Sequence, residues 1–231
     1  MSAQNQNINF PRHIGLIADG NRRWAKEHNL PKFEGHRRGF EAIKKIARTA
    51  QQKGIEMFTF WCFSTENWNR PAGEVAYLMD LFESSLDEFG KMAEQNKARL
   101  RIIGQKWRFR PSIQKKIEDV EKTTINNSGT ILNMGLSYGG RDEIIQGIKK
   151  IIEKGLSAPD INEKIISENL WLPDIDLIIR TGGEQRLSGF LPWQAVYAEL
   201  FFVKKYLPDF TPADFEEVLN EYAGRQRRFG R

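Results

Sequence analysis

Four polar segments of this 231-residue sequence each follow a short apolar run, and all four carry arginine. They span residues 19–24, 64–70, 137–141 and 180–188, and most of them also contain glycine. Backbone N–H groups at glycine-rich turns that lead into helices bind phosphate oxygens. Arginine adds bidentate donors that are permanently charged. Because several arginines at one rim would repel one another without an anion, the pattern predicts a ligand with more than one phosphate.

The first of these segments also contains a carboxylate, Asp19. It would be repelled by phosphates unless a divalent cation lies between them, and Mg²⁺ typically bridges one or two carboxylates to substrate phosphates. A second carboxylate, Glu199, opens the last apolar run of the chain and is the candidate to share that ion. We therefore expect a magnesium site built on Asp19 and Glu199.

Each of these residues also has an ordinary structural interpretation. The tripeptide at residues 19–21 is a common turn, and Arg180 alone is compatible with a surface ion pair. Trp24 and Trp68 are compatible with a plain core role, and His36 with a satisfied polar residue on a helix. The binding interpretation is favoured by the joint placement of the segments, not by any one residue.

Strand-like and helix-like patterns alternate along the chain. Short apolar runs predict strands at residues 13–18, 55–63, 100–104, 130–136, 175–179 and 200–203. Apolar residues at helical spacing predict helices at 35–53 and 71–96, two more from 111 and from 141, and a last one at 215–222. This alternation indicates one α/β domain, over residues 12–223, with a mostly parallel sheet. Such sheets bind ligands at the carboxyl ends of their strands, where the four polar segments lie.

Composition and charge argue against other classes of protein. Lys and Arg number 35 against 30 Asp and Glu, a net charge of +5. Most of that charge comes from the tail at residues 224–231, through Arg225, Arg227, Arg228 and Arg231. The body of the chain is nearly neutral, which disfavours nucleic acid as a partner. A single cysteine, Cys62, excludes an internal disulfide and a thiolate zinc cluster.

The first residues carry no targeting pattern. Residues 1–10 are polar and lack the charged and apolar regions of a secretory signal. No apolar run approaches the ~18 residues that a membrane-spanning helix needs. We therefore expect a cytoplasmic protein with at most peripheral membrane contact, and a disordered or loosely held segment at residues 1–11. The phosphate-loop, dinucleotide-binding and hydrolase-elbow motifs are absent from the sequence.

Five blocks of the sequence, in order, resemble the cis-prenyltransferase family, which includes the undecaprenyl diphosphate synthases and other Z-isoprenyl diphosphate synthases. They are HIGLIADGNRRWAK, FEGHRRGFEAIKKI, FWCFSTENWNRP, LSYGGRDEI and DIDLIIRTGGEQRLSGFLPWQAVYAEL. The resemblance covers about residues 13–230. It implies a six-stranded parallel sheet flanked by helices, a hydrophobic tunnel and a homodimer. It also implies Mg²⁺-dependent, sequential condensation of isopentenyl diphosphate onto an allylic diphosphate such as farnesyl or geranyl diphosphate, giving a Z-polyprenyl diphosphate such as undecaprenyl diphosphate.

The same resemblance implies roles for individual residues. Asp19 resembles the family's magnesium-linked aspartate, and Glu199 would share the metal. The allylic diphosphate would be held by Gly20, Asn21, Arg22, Arg23, Trp24, Lys32 and His36. The second block supplies further substrate-binding positions at Ser64, Thr65, Glu66, Trp68 and Arg70. Isopentenyl diphosphate would be held by Arg180, Arg186, Leu187 and Ser188. The ending at Arg228 and Gly230 resembles one that reaches the partner subunit's site.

Two questions stay open at this point. The family account gives Asn67 as the base that removes a proton from the added unit. A neutral carboxamide is a very weak base, so we favour Asn67 as a positioning residue, with the departing diphosphate taking the proton. Four apolar residues of the helix at 71–96 are either tunnel liners or plain core: Leu78, Phe82, Leu86 and Phe89.

Three other functions compete with this interpretation. A short-chain synthase or a non-catalytic subunit of the same family would share its motifs. A nucleotide- or RNA-binding α/β module would use the basic tail and the aromatic residues, and it predicts steeply salt-dependent binding of nucleic acid. A phosphatase with Asp19 as nucleophile predicts release of phosphate without isopentenyl diphosphate.

Overall fold

The computed structural model describes residues 10–226 and contains a six-stranded sheet. Its strands are β1 (His13–Ile17), β2 (Met57–Ser64), β3 (Arg99–Ile103), β4 (Ile131–Tyr138), β5 (Leu177–Arg180) and β6 (Glu199–Phe202). The strand order is β3-β4-β2-β1-β5-β6, and every neighbouring pair is parallel. The predicted α/β class and the six-stranded parallel sheet are therefore confirmed.

Seven α-helices flank the sheet within the described range. They are α1 (Asn21–Glu27), α2 (Lys32–Gln52), α3 (Ala72–Gln95), α4 (Pro111–Thr124), α5 (Gly140–Glu153), α6 (Glu163–Asn169) and α7 (Pro212–Ala223). The sequence patterns missed α1 and α6, because seven residues are too few to display a helical repeat. Among the described helices, none combines the length and the hydrophobicity that crossing a bilayer requires.

Alternation along the strands divides the core into two faces. Ile14 and Leu16 of β1 belong to the large apolar cluster that includes residues of α2 and α3. Ile17 and Ile178 belong to a smaller cluster on the other side, around Phe190. Burying one such large apolar side chain contributes about 1.5–3 kcal/mol, so the helical stripes are anchored firmly to the sheet.

The carboxyl end of β2 is irregular. Its pairing with β4 shifts register between Trp61 and Phe63, and again between Phe63 and Ser64. As a result Trp61 stacks on Phe190, at 5.3 Å between ring centroids, while Cys62 and Phe63 both pack with the large cluster. Bulges of this kind change the direction of side chains at the end of a strand. Here two consecutive residues, Cys62 and Phe63, face the large cluster.

Three expectations concern the two ends of the chain and its core. Phe10 packs against the large cluster and Pro11 is buried, whereas residues 1–9 lie outside the described residues. Of the tail residues expected to reach a partner subunit, Arg228 and Gly230 also lie outside them. The four candidate tunnel residues of α3 are buried in the core, so the tunnel stays a prediction.

Candidate active site

A cavity of ≈ 840 Å³ opens at the carboxyl ends of β1, β2 and β5. These three strands are β1 and its close neighbours in the sheet order, so the polar residues that follow them meet at one rim. Of the predicted site residues, thirteen line the cavity: Asp19, Gly20, Asn21, Arg22, Arg23, Lys32, His36, Ser64, Asn67, Arg70, Arg180, Arg186 and Ser188. Their convergence is the geometry that a ligand with several phosphates requires.

Asp19 lies between two guanidinium groups. Its Oδ2 accepts a hydrogen bond from Arg180 Nη2 at 2.8 Å, and its Oδ1 accepts one from Arg23 Nη2 at 3.1 Å. The Gly20 N–H also donates to Oδ1, at 2.6 Å. Burial works to raise the pKa of Asp19, but the hydrogen bond and charge of Arg180 and the charge of Arg23 outweigh it, and the pKa lies below its usual value. The cavity therefore holds a permanent carboxylate among cations.

Arg180 is fixed by the loop that follows it. It is the last residue of β5 and only 5% exposed. Its Nη1 donates to Ser188 Oγ at 3.0 Å and to the Arg186 backbone oxygen, so the loop folds back over the strand end. Ser188 has φ 53°, in the left-handed region, which is the backbone strain that this reversal needs. The guanidinium is thus held rigidly toward Asp19.

Gly182 permits the close approach of this loop to the turn after β1. Its φ is 86°, a conformation that side-chain-bearing residues rarely adopt. A Cβ at this position would lie 2.8 Å from Arg23 Nη2 and 3.2 Å from the Asp19 carbonyl carbon. The backbone at Gly182 therefore packs directly beneath the Asp19–Arg23 pair.

A second group of charges lies on the α2–α3 side of the cavity and contains an acidic residue that the sequence analysis did not select. Glu74 Oε1 is 3.1 Å from Arg70 Nη1, 3.7 Å from His36 Nε2 and 3.8 Å from Arg22 Nε. Its side chain is only 10% exposed. Glu74, in the first turn of α3, therefore accepts from Arg70 and lies close to Arg22 and His36, and its position four residues after Arg70 was the available signal.

His36 is neutral at pH 7. Burial, followed by the positive charge of Arg70, lowers its pKa to about 4. Its Nε2 is buried and makes no hydrogen bond within the described part of the chain. An unsatisfied buried nitrogen at a cavity wall is costly, and a ligand oxygen would satisfy it.

The segment after β2 contributes every third residue. Ser64, Asn67 and Arg70 line the cavity, whereas Thr65 and Glu66 do not. The reason is the 3₁₀ helix at Thr65–Asn69, in which side chains three residues apart share one face. The Ser64 N–H donates to Asn67 Oδ1 at 3.1 Å, so the side-chain oxygen of Asn67 caps this turn.

Three other predicted residues also lie outside the cavity. The Trp24 indole N–H donates to Asp209 Oδ1 at 2.7 Å, and its ring is buried. Trp68 donates to Ser137 Oγ at 2.8 Å and packs edge-on behind Phe63. Leu187 packs against the smaller core cluster. These side chains support the walls, so Trp24, Trp68 and Leu187, like Thr65 and Glu66, are not among the residues that line the cavity.

Glu199 is not close to Asp19 within one chain. It is the first residue of β6 and pairs with Leu177, which in turn pairs with Ile14 of β1. Asp19 comes after the carboxyl end of β1, so the two carboxylates lie at opposite ends of the parallel strands. Glu199 Oε2 instead accepts from Arg225 Nη1 at 2.7 Å. The expected metal pair is therefore not formed within a single chain, because Glu199 opens its strand instead of following it.

Eight further residues line the cavity that the sequence did not predict. They are Ile17, Ala18, Lys26, Leu30, Pro31, Trp61, Cys62 and Phe63. Lys26 lies four residues after Arg22 on α1, a spacing that would have revealed it had α1 been recognised. Burial raises the pKa of the Cys62 thiol, so it is an inert, neutral part of the wall.

The fold and the cavity together define an α/β protein with an arginine-rich anion site at the carboxyl edge of a parallel sheet. The Prenyltransf family model, which describes undecaprenyl diphosphate synthases, matches residues 17–230. The chain belongs to this family of cis-prenyltransferases. That membership confirms the family resemblance of the five sequence blocks.

Similar proteins span nearly the whole chain. It is 44% identical over 226 residues to the Escherichia coli ditrans,polycis-undecaprenyl-diphosphate synthase described as (2E,6E)-farnesyl-diphosphate specific, covering 95% of this chain and 89% of that protein. It is 42% identical over 224 residues to an isoprenyl transferase of Chromobacterium violaceum, covering 96% and 88%. The crystal structure of lavandulyl diphosphate synthase from Lavandula x intermedia, in complex with dimethylallyl diphosphate, superposes with a TM-score of 0.91 at 35% identity, covering 96% and 99%.

Proposed function

We propose that this chain joins isopentenyl diphosphate to an allylic diphosphate and releases a Z-prenyl diphosphate. The observation that carries the proposal is the ion-paired Asp19, held between Arg180 and Arg23 within one cavity. The names of the E. coli and Lavandula relatives support the same reaction class, since both are prenyl diphosphate synthases.

Two separate groups of donors support binding of two diphosphates. On the α2 side, Arg22, Arg70 and His36 gather around Glu74. On the β5 side, Arg180 is held against Ser188, with the half-exposed Arg186 nearby. Asp19 and Arg23 lie between the two groups. We assign the α2 side to the allylic diphosphate and the β5 side to isopentenyl diphosphate.

The charges match the reaction. The allylic C1–O bond breaks, a C–C bond forms between C1 and the terminal carbon of isopentenyl diphosphate, and one proton leaves C2 of the added unit. Negative charge develops on the departing diphosphate, where Arg22 and Arg23 stabilise it through preorganised electrostatics. Positive charge develops on carbon, where Cys62 and Phe63 supply an apolar wall that excludes water.

The departing diphosphate is the proton acceptor in this scheme. Asn67 is a neutral amide, and its side-chain oxygen already accepts the Ser64 N–H. Asn67 is therefore a positioning residue that fixes the turn between Ser64 and Arg70. The departing diphosphate is a stronger base than an amide, so it is the better proton acceptor of the two.

The residues fit a magnesium ion that is completed by substrate. Within residues 10–226, no cluster of three or more His, Cys, Asp or Glu side chains is arranged to hold a metal. Asp19, partly exposed in the cavity, supplies one carboxylate, which is enough for Mg²⁺ when phosphate oxygens supply the rest. Bound there, the ion would neutralise diphosphate charge. Asp19 would exchange an arginine contact for the metal, and Glu199 of the same chain would take no part.

A homodimer is part of the proposal. Ile145, Ile148 and Ile152 of α5 are 51%, 46% and 67% exposed and lie at helical spacing on one face. An apolar stripe of this kind is typical of a protein interface. Size-exclusion chromatography with light scattering should give twice the 26.8 kDa chain mass, and Ile148→Glu should shift it toward the monomer. The cytoplasmic location stays a prediction from the sequence.

Activity is tested by incubating the full chain with Mg²⁺, labelled isopentenyl diphosphate and an allylic diphosphate. Asp19→Asn should lower kcat/KM by ~10²–10³, the size of effect expected for one preorganised charge. Asp80→Asn is the matched control, since Asp80 pairs with Arg110 on the surface and should retain activity. Absence of any condensation by the wild type, or full activity of Asp19→Asn, would refute the proposed function.

A further inference from the structure

The Tyr206 ring packs against the turn that carries Asp19 and Gly20. Tyr206 itself is not among the residues that line the cavity. A Cβ at Gly20 would lie 2.5 Å from Tyr206 Cδ1 and 3.0 Å from Tyr206 Cα. Gly20 adopts φ 101° and donates its N–H to Asp19 Oδ1. Only glycine leaves room for this contact, so the ring fixes the position of the turn beside the Asp19 carboxylate.

The backbone on either side of Tyr206 is bonded to both loops of the site. The N–H of the following residue donates to the Asp19 carbonyl oxygen at 3.1 Å, and the carbonyl oxygen of the preceding residue accepts from the Gly182 N–H at 2.7 Å. The Tyr206 hydroxyl donates to Oε1 of Glu27, the last residue of α1, at 2.6 Å. Because the backbone is anchored on both sides, we expect the ring to keep its place when the hydroxyl is removed.

Arg23 lies between two carboxylates and this ring. Its Nη2 donates to Asp19 Oδ1 at 3.1 Å, and its Nη1 donates to Glu184 Oε1 at 3.2 Å. The guanidinium carbon of Arg23 lies over the Tyr206 ring, 5.4 Å from the ring centre. This distance is within the about 6 Å at which a cation is attracted to the face of an aromatic ring. Tyr206 therefore contributes to the position of Arg23 through a cation–π contact.

The ring contact is compatible with a bound diphosphate, whereas the carboxylate contacts compete with one. Phosphate oxygens accept from the same N–H donors of Arg23 that Asp19 and Glu184 now engage. An aromatic ring attracts the positive charge through its face and leaves the N–H donors of the guanidinium plane available. When a phosphate oxygen replaces a carboxylate, the Tyr206 ring still holds the guanidinium at the rim of the cavity.

We propose that Tyr206 is a positioning residue whose ring holds the Arg23 guanidinium where it meets the allylic diphosphate. The inference rests on the proposed function, which assigns Arg23 to the departing diphosphate, and adds to it a residue outside the cavity wall. Tyr206 contacts no substrate and acts through Arg23. Removing the ring should therefore weaken binding of the allylic diphosphate, whereas removing only the hydroxyl should not.

Binding of farnesyl thiolodiphosphate, an unreactive allylic diphosphate, tests this by isothermal titration calorimetry of the full chain with Mg²⁺. Tyr206→Leu should raise the Kd about 3- to 30-fold, the size of a lost cation–π contact. Tyr206→Phe keeps the ring, so its Kd should stay within about twofold of the wild type. Tyr77→Leu is the matched control, because Tyr77 packs against Phe33 instead of an arginine, donates its hydroxyl to the Phe33 carbonyl oxygen and lies outside the cavity. Its Kd should be that of the wild type.

A double-mutant cycle with Arg23→Gln shows whether Tyr206 acts through Arg23. If it does, adding Tyr206→Leu to Arg23→Gln should raise the Kd by no more than about twofold. The same increase in the Arg23→Gln protein as in the wild type would overturn the inference, because the ring would then act by general packing. A loss in Tyr206→Phe as large as that in Tyr206→Leu would also overturn it, since the ring would not be the group that acts.

Folding of each variant is checked by circular dichroism and thermal unfolding. If Tyr206→Leu does not fold, Tyr206→Met replaces it, since its unbranched side chain adapts to the space that the ring leaves. An unchanged Kd in the folded variant, with a wild type that binds the thiolodiphosphate and condenses farnesyl diphosphate with isopentenyl diphosphate, would overturn the inference alone. A wild type that neither binds nor condenses would instead refute the proposed function, so the two failures are distinguishable.

Discussion

Arg180→Lys tests whether the guanidinium of Arg180, and not only its charge, builds the isopentenyl side of the cavity. The wild-type side chain donates to Asp19 Oδ2 at 2.8 Å and to Ser188 Oγ at 3.0 Å, and it also donates to the Arg186 carbonyl oxygen. A lysine ammonium keeps the charge but lacks the planar fork that makes these contacts from one position. At 5% exposure, little water is available to replace a lost partner.

The size of the effect follows from these contacts. Leaving one buried partner unsatisfied costs about 1–3 kcal/mol, and 1.36 kcal/mol corresponds to a factor of ten. We therefore expect Arg180→Lys to lower kcat/KM for isopentenyl diphosphate by about 5- to 150-fold. The loss should appear mainly as a raised KM for isopentenyl diphosphate, with a much smaller change in the KM for the allylic primer.

Steady-state kinetics with each substrate varied in turn separates these effects. Arg12→Lys is the matched control, because Arg12 forms an exposed ion pair with Glu56 and should show no change. Equal increases in both KM values would refute the assignment of Arg180 to one diphosphate. An unchanged KM for isopentenyl diphosphate would refute the role of the guanidinium geometry.

Three further predictions test stability and local geometry. Burial lowers the pKa of His13 to about 4, so neutral His13 contributes ~3 kcal/mol to the free energy of unfolding above pH ~6.5, and this contribution is lost as the pH falls to 4. In urea unfolding, the free energy of unfolding of His13→Asn should therefore fall less between these pH values than that of the wild type, and an equal fall would contradict this. Gly182→Ala should lower the free energy of unfolding by about 1–2 kcal/mol and remove most of the activity. Gly183→Ala also places a Cβ at a positive φ but makes no close contact, so it should keep activity, and equal activities of the two variants would contradict the packing at Gly182. Trp24→Phe removes the hydrogen bond to Asp209 and should lower the free energy of unfolding by about 1 kcal/mol. The KM for the allylic diphosphate should not change, and a raised KM would indicate that Trp24 contacts the substrate.

The sequence predicts the parallel sheet well because the apolar runs of buried strands are continuous. Residues 175–179 and 200–203 were placed within two residues of β5 and β6. It also predicts Asp19 and Arg180 correctly as neighbours, because both lie at the carboxyl ends of adjacent parallel strands. The rule that ligands bind at the carboxyl ends of strands accounts for most of the cavity lining.

The sequence does not predict which side chains within a polar segment face the cavity. The 3₁₀ turn after β2 places Asn67 in the cavity wall and Glu66 outside it. The sequence of this segment does not indicate the three-residue repeat of a 3₁₀ helix. Glu74 was missed because it contributes from the first turn of a helix instead of a strand end. Glu199 was expected to share the metal although it opens the last apolar run, and a residue that opens a parallel strand lies at the end of the sheet opposite to Asp19.

The central claim is that one cavity holds two diphosphates on opposite sides of Asp19. A crystal structure of the full chain with Mg²⁺, isopentenyl diphosphate and an unreactive allylic thiolodiphosphate tests it most directly. We predict one diphosphate in contact with Arg180 and Ser188, and the other in contact with Arg22 and His36. A single bound diphosphate at saturating concentrations of both ligands, or a second one outside this cavity, would contradict the claim.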